Sequence, residues 1–331
     1  MRRRSLGSLA CALALVSCGG PAGPLEVRLG HVGAPGSLFA VSAEEFARRA
    51  NERLRDRARV VVFGSSQLGG DELMLQKLKL GSLELALPSS ILSSRVAAFG
   101  LFDMPYLVDD RAHMRRIEDA VFWPTLAPLA EAAGFRLLAV WENGFRHVTN
   151  NVRPVRVPGD LSGIKLRTPR GEWRVRMFRS WGANPTPMAL SEVFVALQTG
   201  VMDGQENPFA QIRASRLHEV QRYLSLTRHV YTPAYLAAGA PRWQSLPEDV
   251  RRILEETARE TREFVHAAAA RMEEELLLEL RGSGLEVNPV DRAAFVAASQ
   301  AIYGEFAAEV PGGAELIRES RRLAEPPTAA R

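Results

Sequence analysis

Apolar residues recur along the first third of the chain with two alternating periods. Leu38, Val41, Phe46, Ala50 and Leu54 fall at helical spacing and predict a helix over Leu38–Leu54. Short runs on either side, Glu26–Val32 and Arg59–Phe63, read as strands. Leu73–Leu80 is again helical and is stopped by Gly81, and Leu83–Leu87 reads as the next strand. Strand and helix in alternation predict an α/β domain with a largely parallel sheet.

The pattern then restarts. Phe135–Trp141 is strand-like, and Glu142-Asn143-Gly144 after it is a turn signal. A second α/β unit follows, with strands at Phe145–Thr149 and Ile164–Arg167 and helices at Glu172–Trp181 and Ser191–Thr199. The longest regular pattern is Leu246–Arg281, in which Val250, Leu254, Ala258, Val265, Ala268, Met272, Leu276 and Leu280 lie close to one stripe. Pro247 stands near its start, and Gly282 and Gly284 lie just past its end. A helix of ~35 residues is about 50 Å long, more than one small domain, so it is expected to run across both units. A coiled coil would need a sustained heptad, which His266–Ala270 blurs.

The N-terminus reads as a targeting segment. Arg2–Arg4 form a positive start, and Leu6–Val16 is an apolar run too short to span a bilayer. Leu15-Val16-Ser17-Cys18 looks like a bacterial lipobox, with cleavage before Cys18 and lipidation on it; the alternative is an ordinary signal peptide cut slightly later. Two or more acyl chains are enough for stable anchoring. Residues 18–24 then form a Gly/Pro linker. Loss of residues 1–17 takes three units off the formal charge of +4, so the basic balance is no nucleic-acid footprint, and no nucleic-acid partner is expected. Cys11 and Cys18 are the two cysteines, so the mature domain has neither an internal disulfide nor a thiolate metal site.

Enzymatic signatures are missing. His31, His113, His147, His218, His229 and His266 show no metal-ligand spacing, and the chain has no nucleophile elbow, Walker loop or dinucleotide glycine loop. What remains is an arginine at a strand end. Arg167 closes a short apolar strand, and Asn207 sits in an acidic, glycine-containing turn forty residues later. A guanidinium fork matches both oxygens of a carboxylate. With two units joined by crossing segments, this suggests a ligand cleft at the carboxyl ends of the strands.

Several motifs, in order, carry a family resemblance. They are Ser65-Ser66-Gln67-Leu68-Gly69, Phe102-Asp103-Met104-Pro105-Tyr106-Leu107, Gly163-Ile164-Lys165-Leu166-Arg167-Thr168-Pro169, Gly182-Ala183-Asn184-Pro185, Ala196-Leu197-Gln198-Thr199-Gly200 and Val201-Met202-Asp203-Gly204-Gln205-Glu206-Asn207-Pro208. On these the chain, over roughly Val27–Val310, resembles the DctP-type solute-binding proteins of tripartite ATP-independent periplasmic (TRAP) transporters. The resemblance implies a two-lobed α/β periplasmic-binding-protein fold of class II-like form, with a central cleft and a long helix crossing both lobes. Lobe I is expected at 25–144 plus 234–272, and lobe II at 145–233 plus 273–331. It implies a periplasmic, membrane-anchored receptor, expected to be a monomer, that binds an organic acid and hands it to TRAP integral-membrane subunits. A lipoprotein that reports the same ligand to a membrane signalling protein is the alternative.

The resemblance also implies site residues. The arginine matching Arg167 binds the ligand carboxylate, and those matching Arg146 and Asn207 face the cleft. Arg146 has a competing reading as partner of Glu142 or Glu206, and Asn207 one as a helix cap. Gln67 and Glu72, by a helix start in the other lobe, either close over the ligand or simply cap and face solvent. Trp173, just past the arginine strand, lines the cleft or packs in the core, and Arg170 beside it is a further cleft candidate. Leu190 stands where relatives often carry an aromatic ring over the ligand, so the apolar wall is kept and stacking is lost. A keto-acid-binding subgroup that uses a metal has tryptophan at the place of Asn207, so neither metal nor cofactor is expected here.

Overall fold

The computed structural model describes residues 23–324. Cys11, Cys18 and the signal segment lie outside the described residues. In chain order the elements begin with β1 (Leu25–Gly30), α1 (Leu38–Leu54), β2 (Ala58–Phe63), α2 (Asp71–Lys79), β3 (Leu85–Ala86), α3 (Arg111–Ile117), α4 (Ala127–Ala132) and β4 (Phe135–Phe145). There follow β5 (His147–Asn150), β6 (Lys165–Thr168), α5 (Glu172–Ser180), β7 (Asn184–Pro187), α6 (Leu190–Gln198), β8 (Gly204–Asn207), α7 (Phe209–Ala214) and β9 (Tyr223–Ser225). The chain closes with β10 (Tyr231–Gly239), α8 (Ala240–Ser245), α9 (Glu248–Gly282), β11 (Glu286–Asn288), α10 (Arg292–Ala298), α11 (Gln300–Glu309) and α12 (Gly313–Arg322).

Two sheets organise the molecule, one of order β2-β1-β3-β10-β4 and one of order β11-β9-β5-β8-β6-β7. Both are mixed, which corrects the expectation of a largely parallel sheet. β1, β2 and β3 run parallel as βαβ units, but β10 pairs antiparallel with both β3 and β4. In the second sheet β6 is parallel to β7 and β8, while β5 is antiparallel to β8 and β9. The antiparallel strands are those by which the chain leaves one sheet for the other. β4 passes to β5 through the single residue Arg146, and β9 returns to β10 through residues 226–230. The first sheet is backed by α1 and α9, with Trp141, Phe46, Leu54 and Leu254 fully enclosed.

The expected turn at Glu142-Asn143-Gly144 is not a turn. β4 continues through it, and the pairing with β10 slips there, with Thr232 opposite Gly144 and Pro233 opposite Glu142. Asn143 is the extra residue of a bulge, and its amide donates to the hydroxyls of Ser89 and Thr232. Gly144, at φ +115°, supplies the backbone geometry that made the segment look like a turn.

α9 spans 35 residues, packing on α1 and β4 near its start and on α7 further along, so it does cross from one sheet to the other. The sequence grouping placed residues 273–331 with the second lobe. Instead α12 packs on the first-sheet side, where Nε2 of His113 meets the Ser320 carbonyl at 2.7 Å and Arg116 donates to Leu323 O at 2.6 Å. Among the described residues no helix is long and apolar enough to cross a membrane.

Candidate functional site

β6 alternates a core residue with a site residue. Leu166 is fully enclosed beneath the strand, and Arg167 emerges on the other face near the carboxyl end. β8 lies parallel beside it, with Arg167 opposite Gln205, so the ends carrying Arg167 and Asn207 come together. Gly204 is required for this approach: a side chain there would overlap the Thr149 carbonyl of β5. Nε and Nη2 of Arg167 both donate to the Met188 carbonyl, at 2.9 and 2.5 Å, and Nη1 takes no part in that fork.

Beside Arg167 lies a cavity of about 230 Å³ formed by both halves of the molecule. Gly70–Leu73 at the start of α2, with Ile91, line it from the first-sheet side. Arg167, Pro169, Arg170, Met188–Leu190 and Glu192 line it from the second. The structure thus brings Arg167, Glu72, Leu190 and Arg170 around one space. Glu72 pairs with Arg170 at 3.3 Å and lies 4.0 Å from Arg95. Gln67 does not line the cavity. It is exposed in a turn in which Ser65 and Ser66 adopt positive φ.

Trp173 is not a cleft residue either, which corrects that reading. It is buried 5.1 Å from Phe306 in an edge-on contact, with Gly100 directly against its indole. One residue later, Arg174 passes fully enclosed between the halves. It donates to Asp103 at 2.7 Å and to Glu206 at 2.9 Å.

Arg146 and Asn207 are brought together, but into a buried network rather than onto this cavity. Arg146 donates through Nε to Glu206 Oε2 at 2.5 Å and through Nη2 to Asn207 Oδ1 at 2.9 Å. Asn207 donates in turn to Gln205 at 2.6 Å. Of the two partners weighed for Arg146, Glu206 is the one adopted; Glu142 is taken by Arg111 and His266. His229 completes the cluster, Nε2 lying 3.0 Å from Glu206 Oε2 and Nδ1 2.9 Å from the Thr227 hydroxyl. An Nε2–H tautomer satisfies both contacts, since the carboxylate can only accept.

Burial and charge set the ionisation of these groups. Burial pushes Glu206 up, but Arg146, Arg174 and His229 outweigh it and hold its carboxyl well below the usual range. Burial lowers His229 to about 4, against the pull of Glu206, so it is neutral at pH 7. Burial lowers Arg167 to about 10, an effect Glu206 and Asp71 offset and Arg146 reinforces, so it remains charged. Three enclosed arginines, 146, 167 and 174, therefore face two enclosed carboxylates, Asp103 and Glu206. Arg146 and Arg174 hold those carboxylates. Arg167 has none within 4.0 Å among the described residues.

The site residues that sequence reasoning missed are Asp71, Asp103, Arg174, Glu206 and His229 as members of one electrostatic system. Asp103 and Glu206 lay inside the quoted motifs, but nothing local signals that residues 103, 174, 206 and 229 meet. Among the described residues no group of three or more His, Asp or Glu is arranged to hold a metal ion.

A cleft shared by two sheet-centred halves, linked by crossing strands and floored by an enclosed cation, defines a two-lobed solute receptor. The chain belongs to the bacterial extracellular solute-binding proteins, family 7, whose model matches residues 29–309, and is a TRAP-type solute-binding protein. This is a family of binding proteins rather than enzymes. The C4-dicarboxylate-binding periplasmic protein DctP of Rhodobacter capsulatus is 31% identical over 96% of this chain and 97% of its own. The 2,3-diketo-L-gulonate-binding periplasmic protein YiaO of Escherichia coli is 30% identical over 88% of this chain and 90% of its own. The TRAP periplasmic solute-binding protein of Polaromonas sp. JS666, solved bound to D-erythronate, superposes with a TM-score of 0.87. It is 32% identical, covering 91% of this chain and 100% of that one.

Proposed function

We propose that this protein is a periplasmic receptor that captures an organic acid by its carboxylate on Arg167 and delivers it to the membrane subunits of a TRAP transporter. The observation that carries the reading is the charge of Arg167: an enclosed guanidinium beside a cavity, with no carboxylate within 4.0 Å among the described residues. An unpaired buried charge is costly, and a ligand carboxylate supplies the missing partner with matched fork geometry. The relatives support the ligand class, since those named above bind a dicarboxylate, a keto sugar acid and a sugar acid.

In this reading the halves built on the two sheets are the lobes, and closure about the crossing strands shuts water from the cavity. Arg146 and Asn207 hold the cleft floor in shape from the buried network behind it. Leu190 is the apolar wall. A lipid on Cys18 tethers the monomeric receptor to the membrane, and no nucleotide is needed for capture.

A thermal-shift screen of organic acids identifies the ligand, because a tight ligand stabilises by mass action. Calorimetry then tests the anchor. Arg167→Ala is expected to lose about 2–5 kcal/mol of binding, the range for stranding one partner of a buried charged pair. Arg167→Lys restores part of it, since a point charge does not reproduce the fork. Unchanged affinity in Arg167→Ala overturns the reading.

A further inference from the structure

Arg111, the first residue of α3, is bonded to acidic side chains on two of the segments that cross between the halves. Nε and Nη2 fork Glu142 of β4 at 2.8 to 3.0 Å, and Nη2 also donates to Glu273 of α9 at 2.6 Å. Glu142 is fully enclosed, and Nδ1 of His266, also on α9, lies 3.2 Å from it. Burial pulls the Arg111 guanidinium down, but Glu142 and Glu273 outweigh it and hold it above its usual value. One side chain on the first-sheet side thus grips both a crossing strand and the crossing helix.

These bonds meet at a hinge. Glu142 stands just before Arg146, the single residue between β4 and β5, and next to Asn143, where the pairing of β4 with β10 slips. A separate cavity of about 20 Å³ lies beside them, lined by Glu142–Phe145 of β4, Pro208–Ala210 at the start of α7, and Ala269, Met272 and Glu273 of α9. It shares no lining residue with the cavity at Arg167. Such a void lets the crossing segments shift without overpacking. On the ligand side the halves touch: Glu72 pairs with Arg170, and a methyl on Gly70 would lie 3.9 Å from Cβ of Ala189. The cleft is therefore shut while every Arg111 bond is at ordinary length.

Resting on the reading of the molecule as a receptor that closes on its ligand, we infer that Arg111 is a positioning residue for capture: its bond to Glu273 clasps the crossing helix at the angle of the closed cleft. Arg111 does not line the cavity at Arg167. Rotation of the second half about the crossing strands carries with it the stretch of α9 that packs on α7. That motion stretches or compresses a bond that is near its optimum when the cleft is shut. The fork on Glu142 stays within the first-sheet half and keeps the guanidinium in place. A charge-assisted bond that is stronger in one of two states shifts the balance toward that state, and the apparent affinity follows its population.

The test compares the mature wild type with Glu273→Gln, which keeps the enclosed Arg111–Glu142 pair. D-erythronate, succinate and galactonate are titrated calorimetrically into both. Each acid that binds the wild type is expected to bind Glu273→Gln about three- to tenfold more weakly, through faster release, while the melting temperature without ligand stays within about 3 °C. Glu273→Asp keeps the charge and should recover part of the loss. Small-angle scattering of the ligand-free proteins reads the hinge directly, and Glu273→Gln is expected to show the larger radius of gyration. Affinity and radius both equal to wild type overturn the inference, as does an affinity loss no greater than the loss of folded protein. If none of the three acids binds, the radius alone decides. Arg167→Ala keeps the two readings apart. If it abolishes binding while Glu273→Gln changes nothing, the receptor reading stands without the clasp. If binding survives Arg167→Ala, the carboxylate anchor falls and scattering still decides the clasp.

Discussion

Glu72 at the start of α2 and Arg170 just beyond β6 meet at 3.3 Å on the wall of the cavity, joining the two halves of the molecule. Both side chains are more than half exposed, so the pair adds about 0–1 kcal/mol at most to stability. Its effect should be on ligand escape. Glu72→Ala and Arg170→Ala are each expected to raise the ligand off-rate about two- to fivefold while leaving the melting temperature within a degree or two, because interface changes act mainly through dissociation. Stopped-flow release measured at low and high salt checks this. An off-rate identical to wild type at low salt removes the latch.

Glu206 holds Arg146 and Arg174 at once and is itself fully enclosed. Removing it leaves two guanidiniums facing each other without solvent. Glu206→Ala is therefore expected to cost about 3–5 kcal/mol, the range for breaking a buried pair from one side, and to lower the melting temperature by roughly 10 °C. A double-mutant cycle with Arg146→Met isolates the pair. A coupling near zero would mean the network contributes shape rather than energy.

The buried histidines set the acid limit of stability. Burial lowers His31 and His229 to about 4 each, and His147 is also held well below its ordinary value. A depressed histidine gives stability that is complete above the unfolded value near 6.5 and is lost as pH falls towards 4. Asp71 acts with the opposite sign: its raised carboxyl makes the folded state bind the extra proton, so its contribution weakens as pH rises from about 4 to 7. The histidines outnumber it, and the melting temperature is expected to fall between pH 6.5 and 4. In Asp71→Asn that fall should be steeper. Thermal denaturation at half-unit pH steps reads both, and a flat profile down to pH 4.5 contradicts the assignment.

Much of the architecture could be read from the residues because local signals agreed with the final packing. α1 spans Leu38–Leu54 as its apolar spacing predicts, and α9 runs as long as its stripe. Legibility failed where tertiary pairing overrides local chemistry. Glu142-Asn143-Gly144 carries turn residues but is held in β4 by β10, and β7 is the unpromising Asn-Pro-Thr-Pro, a strand only because β6 pairs with it. The same division runs through the site. Arg167 stood out because one strand and one motif present it. Its significance comes from what is missing around it among the described residues, a carboxylate within 4.0 Å, and that is a statement about residues far apart in sequence.

Trp173 shows how the two roles open to an aromatic residue near the cleft are told apart. Its indole lies against Gly100 from the first-sheet side and edge-on to Phe306 of α11, with the Arg176 guanidinium 4.8 Å from the ring centre. Trp173→Ala empties an enclosed site and is expected to cost about 3–5 kcal/mol. Gly100→Ala thrusts a methyl into the ring and should cost about 1–3 kcal/mol by overpacking. Because the added methyl has room once the indole is gone, the double variant should be less destabilised than the sum of the two, by about 1 kcal/mol or more. Affinity for the organic acid, measured well below each variant's melting temperature, should stay within about threefold of wild type. A loss of binding that exceeds the loss of folded protein would return Trp173 to the cleft.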